Sequence, residues 1–385
     1  INAIDNLDIY TPEIIALNNI AIAYREGYHI IIASLEVLEL LNKLEILDKS
    51  SRSIYNNLLS KFTFLESYEQ CFTCCIIISS NECRFERNEN NSKIVYQVPL
   101  VYFQNLSVLH PCILLAEDIS DCEFYFKMGI KFLKEMNHYM NVKLQFDWCN
   151  GGGYNSYKWL KYHVESERVV LSIADNDKSY PEDRIGETLH ELKKVFLANK
   201  NSSIIDLYEL EVREKENLIS PSIYMLCSNI TSKDTIDKLA KIELHDKHQE
   251  KLRYLDIKDG IIAKKLKNCS QLKSYYSELF TDISDLISCT IEEIDLQDDD
   301  TILMNGIGNS LNAFVKDVLD DGLESKLLEV KNRPNISKEY IENIESKIKT
   351  KSNLVSFIPS YIKSDWESLC KKIISWGCCH EIIAI

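Results

Sequence analysis

Two short acidic stretches hold the side chains best suited to chemistry: Leu114-Leu115-Ala116-Glu117-Asp118-Ile119-Ser120-Asp121 and Ser172-Ile173-Ala174-Asp175-Asn176-Asp177-Lys178. Each directly follows an apolar run that reads as a buried strand. Carboxylates gathered at strand ends repel one another unless something positive sits among them, and a hard divalent cation held by oxygen ligands is the usual answer. Residues two apart in a strand share a face, so Asp175 and Asp177 would aim both carboxylates at one point. That spacing is a metal-site signature and suggests phosphodiester chemistry. A third acidic run, Glu211-Val212-Arg213-Glu214-Lys215-Glu216-Asn217, follows a later strand.

The elements that must position these residues alternate through the middle third. Strands are expected at His110–Ala116, Val142–Phe146, Arg168–Ala174 and Ser203–Leu210. Helical spacing is expected over Asp121–Met136, Tyr154–Val164 and Glu182–Leu197, with Pro181 at a helix start and Gly151-Gly152-Gly153 in a turn. Alternating strands and helices predict an α/β unit with a parallel sheet, whose sites lie at the carboxyl ends of the strands. Residues 1–105 read as a helical region with a small sheet. Helices run from Thr11 to Phe64, strands occupy Cys74–Ile78, Lys93–Val98 and Leu100–Phe103, and Arg84–Ser92 forms an exposed loop. From Thr231 to the end, 231–385, the chain reads as helical and highly charged, with an acidic loop at Gln297–Asp300 and a break at Arg333-Pro334.

The arrangement of Glu117 after the first strand, Asp175-x-Asp177 after the third and Arg213-Glu214-Lys215-Glu216-Asn217 after the fourth resembles the TOPRIM fold. Within it, the last run is similar to the Arg-Glu-x-Glu-Asn segment of OLD-type TOPRIM nucleases, and the whole also resembles the effector nucleases of PARIS-like anti-phage defence. The Gly151–Gly153 turn fits the small-residue turn of that group. The resemblance covers about residues 108–225. It departs at Asp118, where many TOPRIM sequences carry glycine. The resemblance implies a central TOPRIM-like parallel sheet in 106–230, flanked by largely helical N- and C-terminal regions. It also implies a magnesium- or manganese-dependent nuclease acting on DNA or RNA, transfer RNA included, and a toxic defence effector restrained by an ATPase or sensor partner.

On this reading Asp175, Asp177 and Glu117 contact one ion. Asp121 and either Glu214 or Glu216 complete a second site, and Lys178 or Arg213 balances charge on the scissile phosphate. One ion lowers the pKa of a bound water, and a second, roughly 3.5–4 Å away, stabilises the leaving oxygen.

Composition sets the bounds. The 385 residues are 45% hydrophobic and 27% charged, which marks a folded chain. The net charge of −15 argues against a surface coated in basic groups for non-specific nucleic-acid binding, though not against a nuclease with a local docking strip. No apolar run reaches bilayer length; Tyr28–Leu41, among the longest, is interrupted by His, Ser and Glu. No signal peptide is visible, and thirteen cysteines without a regular framework suggest a reducing, cytoplasmic setting. A homo-oligomer is left open.

Two other classes compete. One is a TOPRIM-like regulatory or binding module without catalysis. The other is a receiver-like phosphorylation switch, which Leu-Leu-Ala-Glu117-Asp118 resembles at its opening but Asp175-Asn-Asp177-Lys does not continue. Cys71, Cys74, Cys75 and Cys83 read as thiols of a buried strand rather than zinc ligands, because no second Cys-x-x-Cys follows. His245 and His248 lie three apart and read as part of a solvated face. Cys378-Cys379-His380 reads as packing around Trp376. No Walker motif occurs.

Overall fold

A computed structural model describes residues 10–66, 71–79, 83–90, 93–136, 142–225, 233–320, 328, 331–332, 338, 341–342, 345, 354–356 and 358–383. The expected break at Arg333-Pro334 lies outside them. The chain divides into two compact units. The first joins Ile1–Ala174, His190–Tyr208 and Leu369–Ile385; the second joins Asp175–Leu189 and Glu209–Ser368.

The first unit opens with four helices, α1 (Pro12–Arg25), α2 (Leu35–Lys43), α3 (Lys49–Ser60) and α4 (Phe62–Glu66). Pro12 sits in the first turn of α1, where its missing N–H costs nothing. The side chain of Ser34 accepts from the Val37 amide to cap α2. A mixed sheet follows, with β1 (Cys74–Ser79), β2 (Glu86–Asn90) and β3 (Lys93–Pro99) in the order β1-β3-β2.

Two expectations are corrected in this sheet. Arg84–Ser92 contains the strand β2 rather than a loop alone; it is polar because it is an exposed edge strand paired with β3 only. Leu100–Phe103 is not a strand. It belongs to a 3₁₀ turn, Leu100–Gln104, that begins after Pro99, and its carbonyls at Phe103 and Gln104 accept from Asn19 Nδ2 at 3.2 and 2.9 Å.

The first unit also carries a four-stranded, all-parallel sheet flanked by helices, so the α/β class holds. Its strands are β4 (Ile113–Ala116), β6 (Asp147–Asn150), β7 (Val170–Ala174) and β8 (Ile205–Glu209), in the order β6-β4-β7-β8. Every residue of β4 and β7 is buried, as central parallel strands covered on both faces require. Helices α5 (Ile119–Glu135), α6 (Ser156–Glu165) and α7 (Glu187–Asn199) supply the crossovers.

The second strand of this sheet is not Val142–Phe146 as expected. That segment contributes a short β5 (Lys143–Leu144) to a separate pair with β11 (Cys378–Cys379), and the ring of Phe146 fills the space that a side chain at Gly377 would need. The sheet strand is the polar β6 at the edge, where exposure permits Asp147, Trp148 and Asn150. Likewise α7 begins at Glu187, with turns rather than helix after Pro181. Trp376 is buried edge-on to Tyr96, with ring centroids 6.1 Å apart. Burial pushes the neighbouring Cys378 thiol up to about 12.

The second unit contains α8 (Pro221–Tyr224), α9 (Lys233–Glu243), α10 (Ala263–Asn268), α11 (Ser270–Asp282), α12 (Ser310–Phe314) and the first turns of α13 (Ser360–Gly377). It also holds an antiparallel pair, β9 (Gly260–Ile262) with β10 (Ile302–Asn305), in a region expected to be mostly helical. Gly260 takes φ +85°, and a β-carbon there would lie 2.2 Å from the Met304 carbonyl oxygen, so only glycine fits. Trp366, fully buried, donates its indole N–H to the Leu218 carbonyl at 2.7 Å. Among the described residues no helix is long and apolar enough to cross a membrane.

Candidate metal centre

The parallel sheet changes direction between β4 and β7. From β4 the chain moves outward to β6, then returns to the other side of β4 to form β7 and continues to β8. Ligands of open α/β sheets bind beyond the carboxyl ends of the strands at such a reversal. Glu117 is the residue after β4 and lies in the first unit; Asp175, the residue after β7, opens the second, so each is described within its own unit.

In the first unit a glycine turn shapes the surroundings of Glu117. The Gly151 amide donates to the Ala116 carbonyl at 2.8 Å, and the Gly152 and Gly153 amides donate to the Glu117 carbonyl at 2.9 and 3.3 Å. A β-carbon at Gly151 would meet Ser156 Oγ at 2.1 Å, so the turn closes only without a side chain there. Gly152 and Gly153 both take positive φ, and Glu117 Oε1 lies 3.3 Å from where a Gly153 β-carbon would be. The Glu117 side chain is exposed above this turn. Asp118 and Asp121 form a capping box on α5: Asp118 Oδ1 accepts from the Ser120 amide at 2.8 Å, and Asp121 Oδ2 accepts from the Asp118 amide at 3.1 Å. Asp121 is therefore buried and engaged in helix capping, a role its position three residues after Asp118 could have signalled.

In the second unit the structure brings Asp177, Arg213, Glu214 and Glu216 into one electrostatic neighbourhood. It adds Asp256, Lys258 and Lys265, which sequence reasoning missed. Asp177 holds a left-handed backbone, φ 58°. Aspartate tolerates this conformation better than most residues, yet a non-glycine residue there signals a locally enforced geometry. The enforcing contacts are reciprocal. The Asp177 amide donates to the Arg213 carbonyl at 2.9 Å, and Arg213 Nη1 donates to the Asp177 carbonyl at 2.9 Å and to Ser179 Oγ at 2.7 Å. Asn176, buried between the two aspartates, donates to the Leu210 carbonyl at 2.8 Å and accepts from the Lys178 amide at 2.9 Å. A β-carbon at Gly186 would fall 1.9 Å from Asp177 Oδ2, so that glycine leaves room for the carboxylate.

Charge is unevenly compensated across this cluster. Burial raises the Asp177 carboxyl, and Asp256 adds to the rise while Arg213 and Lys258 oppose it. Asp256 experiences the same penalty. There Arg213, 3.1 Å away, and Lys265, 2.6 Å away, outweigh it and hold the carboxyl below its ordinary value. Glu214 has no such rescue. Burial, then Glu216, then Asp256 push its carboxyl up to about 8, against the Lys258 amide that donates to Oε1 at 3.1 Å. Glu216 is 3% exposed within the 3₁₀ turn Lys215–Leu218. That turn is anchored by Asn217, which accepts from the Glu214 amide at 3.2 Å and donates to the carbonyls of Leu252 and Leu255.

Arg213 is thus spent on Asp177, Ser179 and Asp256, and Lys178 Nζ donates to the Pro181 carbonyl at 3.4 Å. The donor set is all oxygen, which matches hard divalent ions of the magnesium and manganese type. Burial and the neighbouring carboxylates disfavour the charged form of Glu214, a cost that a cation placed among them would offset.

One sequence reading is overturned in this unit. His245 and His248 are not a solvated face: His248 is fully buried, and its Nε2 lies 2.8 Å from Asp282 Oδ2. Comparison of the chain with protein-family models, with curated proteins and with solved structures finds no match.

Proposed function

We propose that this chain is a metal-dependent nuclease of the TOPRIM type, the kind that serves as a toxic effector in anti-phage defence. The observation that carries the reading is the all-oxygen cluster of the second unit, where Arg213 braces the Asp177 backbone and pairs with Asp256 beside the buried Glu216. Within the second unit, Asp175 and Asp177 are the carboxylates assigned to hold a divalent ion, with Glu214 and Glu216 as the further acidic set; Glu117 is the acid that the first unit offers at the end of β4. When bound, such an ion activates water and stabilises charge on a phosphodiester.

The chain's own residues do the positioning. The Gly152 and Gly153 amides hold the Glu117 carbonyl, and Arg213 fixes the backbone of Asp177. Because Arg213 is engaged internally, it acts as a brace for the acids rather than as the phosphate contact expected from sequence. A nucleic-acid substrate is further supported by the outer surface of α6 and the turn before it. Tyr154, Trp159 and Tyr162 are exposed there beside Lys158 and Lys161, a mixture suited to base stacking and phosphate attraction.

The test is incubation of the full chain with mixed DNA and RNA in Mg²⁺, against the Asp175→Ala/Asp177→Ala variant. Mn²⁺ binding is followed in parallel, and Glu117→Ala is included. Cleavage and Mn²⁺ binding by the wild type, both lost in the variants, is the expected outcome. Mn²⁺ binding without cleavage points instead to the binding-module reading, and absence of both removes the metal-site assignment.

A further inference from the structure

The second unit holds a cluster that the nuclease reading does not use. His245 and His248 occupy the turn after α9, where the His248 amide donates to the His245 carbonyl at 2.8 Å. That tight turn stacks the two imidazoles, with centroids 4.5 Å apart and planes 29° off parallel. Asp282, the last residue of α11, faces them. Its Oδ2 lies 2.8 Å from His248 Nε2 and 3.5 Å from Lys247 Nζ. The Lys247 ammonium also pairs with Glu278, one turn earlier on α11. Among the described residues, each of the three members offers a donor atom within 4.8 Å of the other two.

Two features separate this cluster from an ordinary buried hydrogen bond. First, His248 is 0% exposed, yet its Nδ1 is buried with no hydrogen-bond partner, and Nδ1 of His245 is in the same condition. An unpaired buried polar atom costs about 1–3 kcal/mol, and two in one turn call for an occupant. Second, the stacked rings and the facing carboxylate converge, so one cation can take a lone pair from each imidazole and one from Asp282. Imidazole nitrogens with a single carboxylate are the donor set of zinc-type ions rather than of magnesium or calcium. A tetrahedral ion with bonds of about 2.0–2.2 Å needs its donors roughly 3.3–3.5 Å apart, so side-chain rotation of about an ångström closes the cluster. The Lys247 arm, half exposed, is free to swing aside as the ion takes over the charge of Asp282.

We propose that His245, His248 and Asp282 form a binding site for one divalent transition ion of the zinc type, with water completing its coordination. The ion clamps the turn after α9 to the end of α11. It is distinct from the hard-ion centre and takes no part in phosphodiester chemistry.

The experiment is metal analysis of the purified full chain after dialysis against micromolar Zn²⁺, followed by replacement with Co²⁺ and recording of its visible absorption. Stoichiometric zinc and a cobalt spectrum with nitrogen ligation are expected. Asp282→Asn should weaken zinc binding about 10–100-fold, and His245→Ala should abolish stoichiometric retention. His248 is left intact because its burial would make a substitution there ambiguous, and far-UV circular dichroism confirms that both variants fold. Asp175→Ala/Asp177→Ala should retain zinc fully, which separates this site from the nuclease reading. Sub-stoichiometric zinc in the wild type, or retention unchanged by both His245→Ala and Asp282→Asn, overturns the proposal.

Discussion

Glu214→Gln offers the sharpest measure of the electrostatics in the acidic cluster. The Glu214 carboxyl ordinarily titrates near 4.5 and is pushed up to about 8 by burial, Glu216 and Asp256. The direction of the effect follows from linkage. Below about pH 4.5 the group is protonated in both folded and unfolded chains and contributes nothing. As pH rises, the unfolded chain releases this proton first, so the folded state loses stability progressively until the folded group also ionises near pH 8. The gap between 4.5 and about 8 is worth roughly 5 kcal/mol at about 1.4 kcal/mol per pH unit. Relaxation and partial exposure of the side chain reduce this to about 2–5 kcal/mol. Glutamine keeps an oxygen for the Lys258 amide but cannot ionise. In chelator, urea unfolding should therefore show the variant equal to wild type near pH 4.5 and more stable by about 2–5 kcal/mol at pH 8.5. Mg²⁺ at pH 8.5 should narrow the difference by stabilising the wild type. Parallel stability curves for the two proteins between pH 5 and 8.5 would refute the account of Glu214 as a protonated group held among carboxylates.

The first unit has an internal ion network to test. Asp206, 4% exposed, pairs with Arg87 at 3.1 Å and Lys372 at 2.6 Å, while Arg87 Nε donates to Tyr96 Oη at 3.2 Å. Asp206→Ala removes the buried carboxylate shared by Arg87 and Lys372 and leaves Arg87 to Glu89 and Tyr96; it should cost about 2–4 kcal/mol in urea unfolding, and a loss under about 1 kcal/mol would show that the network is not coupled to folding. Gly186→Ala drives a β-carbon into the Asp177 carboxylate. It should destabilise the chain by about 1–3 kcal/mol and weaken Mn²⁺ binding at least about tenfold. Unchanged Mn²⁺ affinity would remove Asp177 from the ion-holding set.

What was legible in the sequence follows from where each element sits. The apolar runs of β4 and β7 announce themselves because central parallel strands must be buried on both faces. Helix α5 is legible because Phe124, Met128 and Phe132 fall on one buried side. Two polar edge strands were not legible. Asp147–Asn150 and Glu86–Asn90 owe their strand state to a neighbour's hydrogen bonds rather than to their own hydrophobicity, so a reading based on apolar periodicity passes over them. Leu100–Phe103 errs the other way. Its composition suits a strand, but Pro99 and the Asn19 amide direct its backbone into a 3₁₀ turn. The three-part division followed composition along the chain, whereas the compact units are assembled from separated segments: Thr73 is bonded to Ser375 by its amide at 2.8 Å.

The candidate site divides along a similar line. Acidic spacing identifies Glu117, Asp175, Asp177, Glu214 and Glu216 because like charges close in sequence demand an explanation. Asp256 escapes that logic. In Leu255-Asp256-Ile257-Lys258-Asp259 it looks like one more charge in a charged region, and only the fold reveals that it stands against Arg213. Arg213 shows why charge alone misleads about role. A guanidinium among carboxylates invites assignment to a phosphate, yet its donors are directed to the Asp177 carbonyl, Ser179 and Asp256. The ligand-free cluster consequently balances its acids by two routes, a guanidinium at Asp256 and a proton at Glu214. The first is fixed by the fold and cannot be exchanged without breaking the loop that holds Asp177. The second is labile, so on the proposed reading Glu214 is the group at which a bound cation would displace a proton, while Arg213 keeps the neighbouring carboxylates in position.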